Sequence, residues 1–270
     1  MNDSVIVITG GSSGIGAAAA RALRKTGATV AITGRSAETT RLAQEIGCDS
    51  FPADFTKLGD VRRLAAELTA KYPRIDVLAN NVGGIIHQRQ VTEDGHEKTF
   101  QVNHLAPFLL TLLLRETLES SRATVINTSS GAHHMGRLDF DDLESDRRYG
   151  AWRAYGTAKM MNILHAAEIN RRFSGVRGVS FHPGVVTTGF AREGSAPLRF
   201  WYGTPLGRLF MIGPKKGADT LVWLATSRPG ADWQPGEYYV KRKSARKSHQ
   251  AGDMDLARRL WDASEALVRR

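Results

Sequence analysis

Tyr155 and Lys159, in the stretch AYGTAK, have the side-chain types that acid–base chemistry on an oxygen atom requires. They lie near the start of a segment, 152–174, that we predict to be helical, and helical residues four apart share one face. A phenol of ordinary pKa, about 10, is a poor proton shuttle at neutral pH, but a nearby ammonium lowers that pKa. The pair could therefore exchange a proton with a carbonyl or alcohol oxygen while a hydride moves.

The same spacing occurs again in Tyr239 and Lys243. That second pair starts in a predicted strand, 238–240, and runs into a basic tail, where residues four apart are not aligned as they are on a helical turn. We interpret it as a coincidence.

Two serines accompany the first pair. Ser129 and Ser130 end the strand-like run ATVINTSS, and parallel sheets place their sites at the carboxyl ends of strands. A hydroxyl there could hold a substrate oxygen beside Tyr155. For Ser130 taken alone, capping of a turn is the competing interpretation.

A glycine-rich stretch, TGGSSGIG (9–16), joins the apolar run VIVI to a helix-like segment. Its Gly10, Gly14 and Gly16 have the spacing GxxxGxG. Such a turn bends without Cβ clashes and presents unpaired N–H groups at a helix start, where an anion binds. The turn therefore predicts a phosphate site, and the alternative is glycine needed for packing only.

The end of the second predicted strand reads TGRS, which places Arg35 where dinucleotide-binding folds choose between cofactors. An acid there binds the ribose 2′-hydroxyl, whereas arginine accommodates a 2′-phosphate. Ser36 could cap the next helix. We therefore expect NADP(H) to be preferred over NAD(H), the alternative being a solvated loop arginine.

The elements that must position these residues alternate along the chain. Apolar, β-branched runs predict strands at 4–9, 28–33, 49–51, 75–81, 123–129, 176–182 and 238–240, and helices are predicted at about 14–26, 36–47, 57–73, 93–119, 152–174, 215–227 and 253–269. Runs that are apolar on both faces suit a parallel sheet covered on both sides. We expect one α/β domain over 1–270, a Rossmann-type doubly wound parallel sheet of about seven strands.

Charge, cysteine content and apolar patterning argue against several kinds of partner. Much of the net charge of +10 lies in a C-terminal basic segment and helix, 241–270, and its basic run KRKSARK has no interleaved aromatic residues, so no nucleic-acid partner is expected. Cys48 is the only cysteine, and the adjacent His133 and His134 lack a third ligand, so no metal is expected. Without a signal-like or bilayer-length apolar stretch, we expect a cytoplasmic protein with no stable membrane insertion.

These motifs, in order along the chain, resemble the short-chain dehydrogenase/reductase family in its compact single-domain subgroup. The resemblance spans almost all 270 residues and includes NNVG (80–83) and HPGVVTT (182–188). The stretches VNHL, SSGAH and LARRLWDASEALV are most similar to the retinol dehydrogenase-like branch and its WW-domain oxidoreductase relatives.

The resemblance implies a role for each site residue. Tyr155 is the acid/base, and Lys159 holds the nicotinamide ribose. Ser130, the second serine, orients the substrate oxygen, and Asn103 supports a proton relay through water. The implied cofactor contacts are Gly10, Ser12, Ser13, Gly14 and Ile15 at the phosphates, Arg35 at the 2′-phosphate, Asp54 at the adenine, Asn81 and Gly83 at its ribose, and Val186 and Thr188 at the carboxamide, with Phe55, Pro183 and Gly184 as further cofactor contacts. Without the resemblance, Asn103, Asp54 and Thr188 are ordinary helix, turn or capping residues.

Two features depart from the family pattern. NNVG stands where NNAG is commoner, and 24 residues separate Ser130 from Tyr155, about twice the number in compact members. The longer spacing does occur in the retinol dehydrogenase-like branch. The inserted stretch GRLDFDDLESDRRYG carries five acids and is interpreted as a surface excursion that leaves the serine in place.

The segment 187–214 contains Phe200, Trp201 and Tyr202 between prolines and glycines. We interpret it as a lid over a hydrophobic pocket, with a subunit contact or a membrane-surface contact as alternatives. The expected function is hydride transfer between NADP(H) and a carbonyl or alcohol substrate, hydrophobic and retinoid- or steroid-like. Competing functions are an epimerase or dehydratase, or a non-catalytic NADP-binding regulator. By resemblance, we expect a homodimer or homotetramer.

Overall fold

A mainly parallel sheet organises the protein, which the computed structural model describes over residues 3–184 and 213–269. Its strands are β1 Val5–Ile8, β2 Thr29–Gly34, β3 Asp49–Pro52, β4 Val77–Asn80, β5 Thr124–Thr128, β6 Arg177–His182, β7 Tyr238–Val240 and β8 Lys243–Ser244. The spatial order is β3-β2-β1-β4-β5-β6-β7-β8, and only the two-residue β8 runs antiparallel to its neighbour. The order reverses between β1 and β4, which creates a crevice beyond their carboxyl ends. The predicted doubly wound α/β fold is confirmed.

Helices cover both faces of the sheet. They are α1 Gly14–Arg24, α2 Ala37–Ile46, α3 Leu58–Lys71, α4 Lys98–Phe100, α5 Ala106–Leu113, α6 Arg115–Ser120, α7 Ala151–Arg172, α8 Pro214–Thr226 and α9 Met254–Val268. A π-helical turn, Gln101–Leu105, joins α4 to α5, and 3₁₀ turns form at Gly131–Met135 and Gln250–Gly252. Across the ranges 3–184 and 213–269, we find no helix with both the length and the apolar character needed to cross a bilayer.

Successive residues of β1 belong to two separate cores, one on each face of the sheet. In β1, Val5 and Val7 contact the layer formed by α3, α5, α7 and α9, whereas Ile6 and Ile8 contact α1, α2 and α8. The continuous apolar run VIVI is required because both faces are buried. Burial of each isoleucine side chain contributes about 1.5–3 kcal/mol, which makes the sheet a rigid support for the loops at its edge.

The helix expected over 93–119 is shorter and interrupted. The carboxylate of Glu97, 1% exposed, accepts hydrogen bonds at 2.8 Å from the N–H groups of Thr99 and Phe100, so the helix starts at Lys98. The residues before it pair as an antiparallel bridge between Val91 and Glu97. A continuous apolar period does not reveal where such a side-chain cap stops the helix.

Candidate active site

The glycine turn between β1 and α1 has the conformation that its sequence requires. Gly10 and Gly14 have φ of +64° and +54°, and a Cβ on Gly16 would lie 2.2 Å from the Gly10 carbonyl oxygen. Ser13, the N-cap, is extended and makes no side-chain hydrogen bond to the first turn of α1. The N–H groups of that turn are therefore left for a group in the crevice.

Asn81, at the end of β4, fixes this turn against the sheet. Its Nδ2 donates to the Thr9 carbonyl at 3.1 Å, and its Oδ1 accepts from the Thr128 hydroxyl at 3.3 Å. The N–H groups of Asn81 and Val82 donate to the Thr9 hydroxyl. Asn81 thus shapes the crevice as well as lining it.

A cavity of about 660 Å³ extends from the glycine turn to α7. Of the residues that the sequence predicted, it is lined by Gly10, Ser12, Ser13, Gly14, Ile15, Arg35, Asp54, Phe55, Asn81, Gly83, Ser130, Tyr155, Lys159, Pro183 and Gly184. Val186, Thr188 and almost all of the expected lid lie outside the described residues. The cavity is within the range of ligand sites, about 300–1,000 Å³.

The phosphate end of the cavity carries one exposed cation. Arg35 follows β2, lines the cavity and makes no salt bridge with a carboxylate of residues 3–184 or 213–269. Ser36 is the N-cap of α2, as expected, but its side chain makes no capping hydrogen bond. Asp54 also lines the cavity, and its Oδ1 accepts from the Thr56 N–H at 3.0 Å. The uncapped helix starts and the cation fit a phosphorylated dinucleotide.

Tyr155, Lys159 and Ser130 meet at the other end of the cavity. Tyr155 and Lys159 are 8% and 2% exposed, and Lys159 Nζ lies 5.4 Å from the centre of the tyrosine ring. Lys159 Nζ also donates to the Thr128 carbonyl at 3.3 Å. The Ser130 hydroxyl hydrogen-bonds Tyr155 and lowers its pKa.

The pKa of Tyr155 nevertheless differs from the expectation. Burial raises the Tyr155 pKa to about 12, against the smaller effect of Ser130, and burial lowers the Lys159 pKa to about 7. We expected the Lys159 charge to lower the Tyr155 pKa, and this expectation is wrong, because burial raises the pKa above its ordinary value. Both charged forms lose their hydration in this pocket, so the Tyr155 phenol is neutral at pH 7.

The two serines have different environments. The buried Ser129 hydroxyl donates to the Lys159 carbonyl at 2.7 Å, whereas Ser130 Oγ accepts from the Ala132 N–H at 3.2 Å. Ser130 therefore both caps the 3₁₀ turn and contacts Tyr155. His133 Nδ1 donates to the Ser130 carbonyl at 2.7 Å. No group of three metal-ligating side chains occurs among residues 3–184 and 213–269.

Asn103 lies in the π-helical turn behind the cavity wall. Its Nδ2 donates to the carbonyls of Gly84 and Thr99 at 2.9 and 2.8 Å, and its Oδ1 accepts from the Gly84 N–H at 3.1 Å. A Cβ on Gly83 would lie 2.5 Å from Asn103 Oδ1 and 2.7 Å from Lys159 Nζ. The bare Gly83 thus allows Asn103 and Lys159 to approach one another.

The structure adds cavity residues that the sequence analysis did not identify. Trp152 packs edge-on against Tyr155 with ring centres 6.4 Å apart, and Ile86 and Met135 extend this apolar side. His182 also lines the cavity, and burial lowers its pKa to about 4. The sequence could have predicted Trp152, because it precedes Tyr155 by three positions and therefore shares its face of the helix. No comparable spacing pointed to Met135.

The second YxxxK pair does not form a site. Tyr239 is 5% exposed in β7, stacks edge-on with Trp223 and accepts a hydrogen bond from the Gln234 N–H. Lys243 lies on β8, exposed. The two residues lie on neighbouring antiparallel strands, where the sequence predicted a strand followed by a basic tail.

Known sequences are similar to this chain over most of its length. A model of the family described as short chain dehydrogenase matches residues 4–198. A Streptomyces sp. (strain C5) protein, named as a candidate daunorubicin C-13 ketoreductase (DnrU), is 46% identical over 271 residues, covering 97% of this chain and 92% of that protein. Retinol dehydrogenase 11 of Homo sapiens is 36% identical over 271 residues, covering 96% and 84%.

Solved structures have a fold similar to that of this chain. The crystal structure of an uncharacterized protein from Mycobacterium paratuberculosis has a TM-score of 0.78 and 29% identity, covering 98% of this chain and 93% of that one. The Pseudomonas aeruginosa RhlG/NADP active-site complex has a TM-score of 0.65 and 25% identity, covering 87% and 93%.

Proposed function

Since the chain belongs to the short-chain dehydrogenase/reductase family of oxidoreductases, in its retinol dehydrogenase-like branch, we propose that it interconverts a carbonyl and an alcohol on a hydrophobic substrate with NADP(H). The observation that carries the proposal is the buried meeting of Ser130, Tyr155 and Lys159 on the wall of a cavity that begins at the glycine turn. A bound nicotinamide would supply or accept the hydride.

The chain's own residues supply binding and the proton. The neutral Tyr155 hydroxyl donates its proton to the carbonyl oxygen during reduction, and in the reverse direction the Tyr155 phenolate takes a proton from the alcohol. Ser130, already bonded to Tyr155, holds that oxygen beside the phenol. Lys159 binds the cofactor ribose, and Asn103 orders water behind Lys159. These roles match the family resemblance residue by residue.

The preference for NADP(H) is supported by Arg35. This guanidinium lies beside the uncapped start of α2 and lines the same cavity as the glycine turn. A 2′-phosphate there would form charge-assisted hydrogen bonds with the guanidinium. The similarity to the RhlG/NADP complex is consistent with this choice.

The substrate is proposed to be apolar because of the wall beside Tyr155. Ile86, Val102, Met135 and Trp152 line the cavity there. Such a wall favours a large hydrophobic ketone, aldehyde or alcohol, because apolar contact area provides the affinity. The relatives named for a retinol and for a daunorubicin ketone fit this chemistry.

The proposal is tested with a panel of hydrophobic ketones, aldehydes and alcohols, monitored at the nicotinamide absorbance with each cofactor. We expect turnover with NADP(H), and we expect Tyr155→Phe to lose about 10²–10⁴ of kcat because the proton donor is removed. The variant should still bind NADPH, measured by cofactor fluorescence. Full activity of Tyr155→Phe would exclude the mechanism, and NADPH binding without turnover of any substrate would favour a non-catalytic regulator.

A homodimer or homotetramer is also proposed. Leu113, at the end of α5, is 41% exposed although it is apolar, and relatives by resemblance associate through this region and α7. Sedimentation at micromolar concentration tests this, and a lone protomer would remove the proposal.

A further inference from the structure

The insertion before α7, residues 136–150, lies largely at the surface but is bonded to a neighbouring segment. Its Glu144 is bonded to the segment that precedes α4: Glu144 Oε2 accepts from the Glu97 N–H at 2.7 Å, and Oε1 accepts from His96 Nδ1 at 2.8 Å. Arg89 adds an ion pair to Asp146. The insertion is therefore anchored on the loop that runs from β4 to α4.

Tyr149 makes the contact that lies nearest the candidate site. Its hydroxyl donates to the Ile86 carbonyl at 2.5 Å, and its oxygen lies 2.9 Å from Thr99 Oγ1. Either hydroxyl can be the donor in this second bond, because the Glu97 carboxylate is a further acceptor for both. One half-buried hydroxyl thus joins the loop after β4 to the start of α4.

The two segments joined by Tyr149 are the two that hold Asn103. Asn103 Nδ2 donates to the carbonyls of Gly84 and Thr99, and Gly84 lies two residues from Ile86. If the segments separated, Nδ2 could not reach both carbonyls, because each bond tolerates only a few tenths of an ångström. The position of Asn103 beside Lys159 therefore depends on their separation.

We propose that Tyr149 is a positioning residue of the reaction, which holds Asn103 in place by bridging Ile86 and Thr99. Its kinetic consequence rests on the oxidoreductase function proposed above, whereas its structural consequence does not. This role gives the insertion between Ser130 and Tyr155 a function, because the insertion carries the Tyr149 hydroxyl to Ile86 and Thr99.

The test uses Tyr149→Phe, which removes only the bridging hydroxyl. Tyr72→Phe is the matched control, because the Tyr72 hydroxyl is also hydrogen-bonded, to Asp49, but lies away from the cavity. Thr99→Val removes the second partner, and Thr99→Ser keeps its hydroxyl. The first readout is amide hydrogen exchange of the peptide that contains Gly84, whose N–H donates to Asn103 Oδ1.

We expect exchange at Gly84 to become about fivefold faster in Tyr149→Phe and in Thr99→Val, the ratio that the loss of one net hydrogen bond gives. Thr99→Ser and Tyr72→Phe should match the wild type. In turnover assays, kcat should fall by about the same factor in the first two variants, while KM for NADPH stays within about twofold. The double variant should be no worse than either single one, because both break the same bridge.

Unchanged exchange at Gly84 in Tyr149→Phe would overturn the inference. An equal loss of kcat in Tyr149→Phe and Tyr72→Phe would also overturn it, since it would indicate general destabilisation. If the wild type turned over no carbonyl or alcohol, the proposed function would fail, but the exchange result would still decide the role of Tyr149.

Discussion

Lys159 Nζ lies 5.4 Å from the centre of the Tyr155 ring in a pocket that disfavours the charge of both side chains. A helical turn brings the pair together, and the packing of α7 against the sheet removes water from it. The protein therefore holds an amine whose charged form is costly. The effect of this cost on the stability of the protein can be measured without a substrate.

Lys159→Met should stabilise the protein at low and neutral pH while abolishing activity. The Lys159 pKa is 10.5 in the unfolded chain and about 7 in the fold, so the unfolded state binds the extra proton between these values. Wild-type stability therefore rises with pH from about 7 to 10.5, and the penalty below pH 7 is about 5 kcal/mol at most. Urea unfolding from pH 6 to 10 measures it.

The advantage of Lys159→Met should shrink as the pH rises towards 10. Lys57→Met is the control, because Lys57 is half-exposed and paired with Glu93. A pH-independent difference between wild type and Lys159→Met would show that the amine is not desolvated as described.

The two adjacent serines provide a matched pair. Ser130→Ala removes the hydroxyl that contacts Tyr155, so kcat should fall by about 10²-fold. Ser129→Ala removes a hydrogen bond to the Lys159 carbonyl, so the free energy of unfolding should fall by about 1 kcal/mol. Steady-state kinetics and urea unfolding on both variants check this. An equal loss of kcat in both would mean that Ser130 has no special role.

Arg35 offers a test of cofactor choice. Arg35→Ser should lower kcat/KM for NADPH by about tenfold or more and leave that for NADH nearly unchanged, because the lost bonds are to a charged 2′-phosphate. Arg41→Ser removes the same charge from α2, where Arg41 pairs with Glu38, and should change neither value. Equal losses with both cofactors would contradict the assignment.

The sequence predicted those parts of the site that depend on local pattern. The glycine turn and the i, i+4 placement of Tyr155 and Lys159 follow from backbone geometry, and the structure has both. The Tyr155 pKa was not predictable in direction, because it depends on the burial that the fold imposes on both groups. The Tyr149 bridge was not predictable, since it joins residues whose proximity arises only from tertiary packing. The Glu97 cap is local, but the apolar pattern over 93–119 did not reveal it.

A buried polar layer beneath the site should control acid stability. His104 Nε2 lies 2.9 Å from Ser264 Oγ, and burial lowers the His104 pKa from 6.5 to about 3. Below pH 6.5 the unfolded chain takes up this proton and the folded one does not, so stability falls as the pH falls towards 3. Relative to wild type, His104→Gln should gain about 2 kcal/mol between pH 6.5 and 5, measured by urea unfolding. His249→Gln, which removes an exposed histidine, is the control. If the free energies of unfolding of His104→Gln and wild type changed in parallel with pH, His104 would have to become protonated in the folded state.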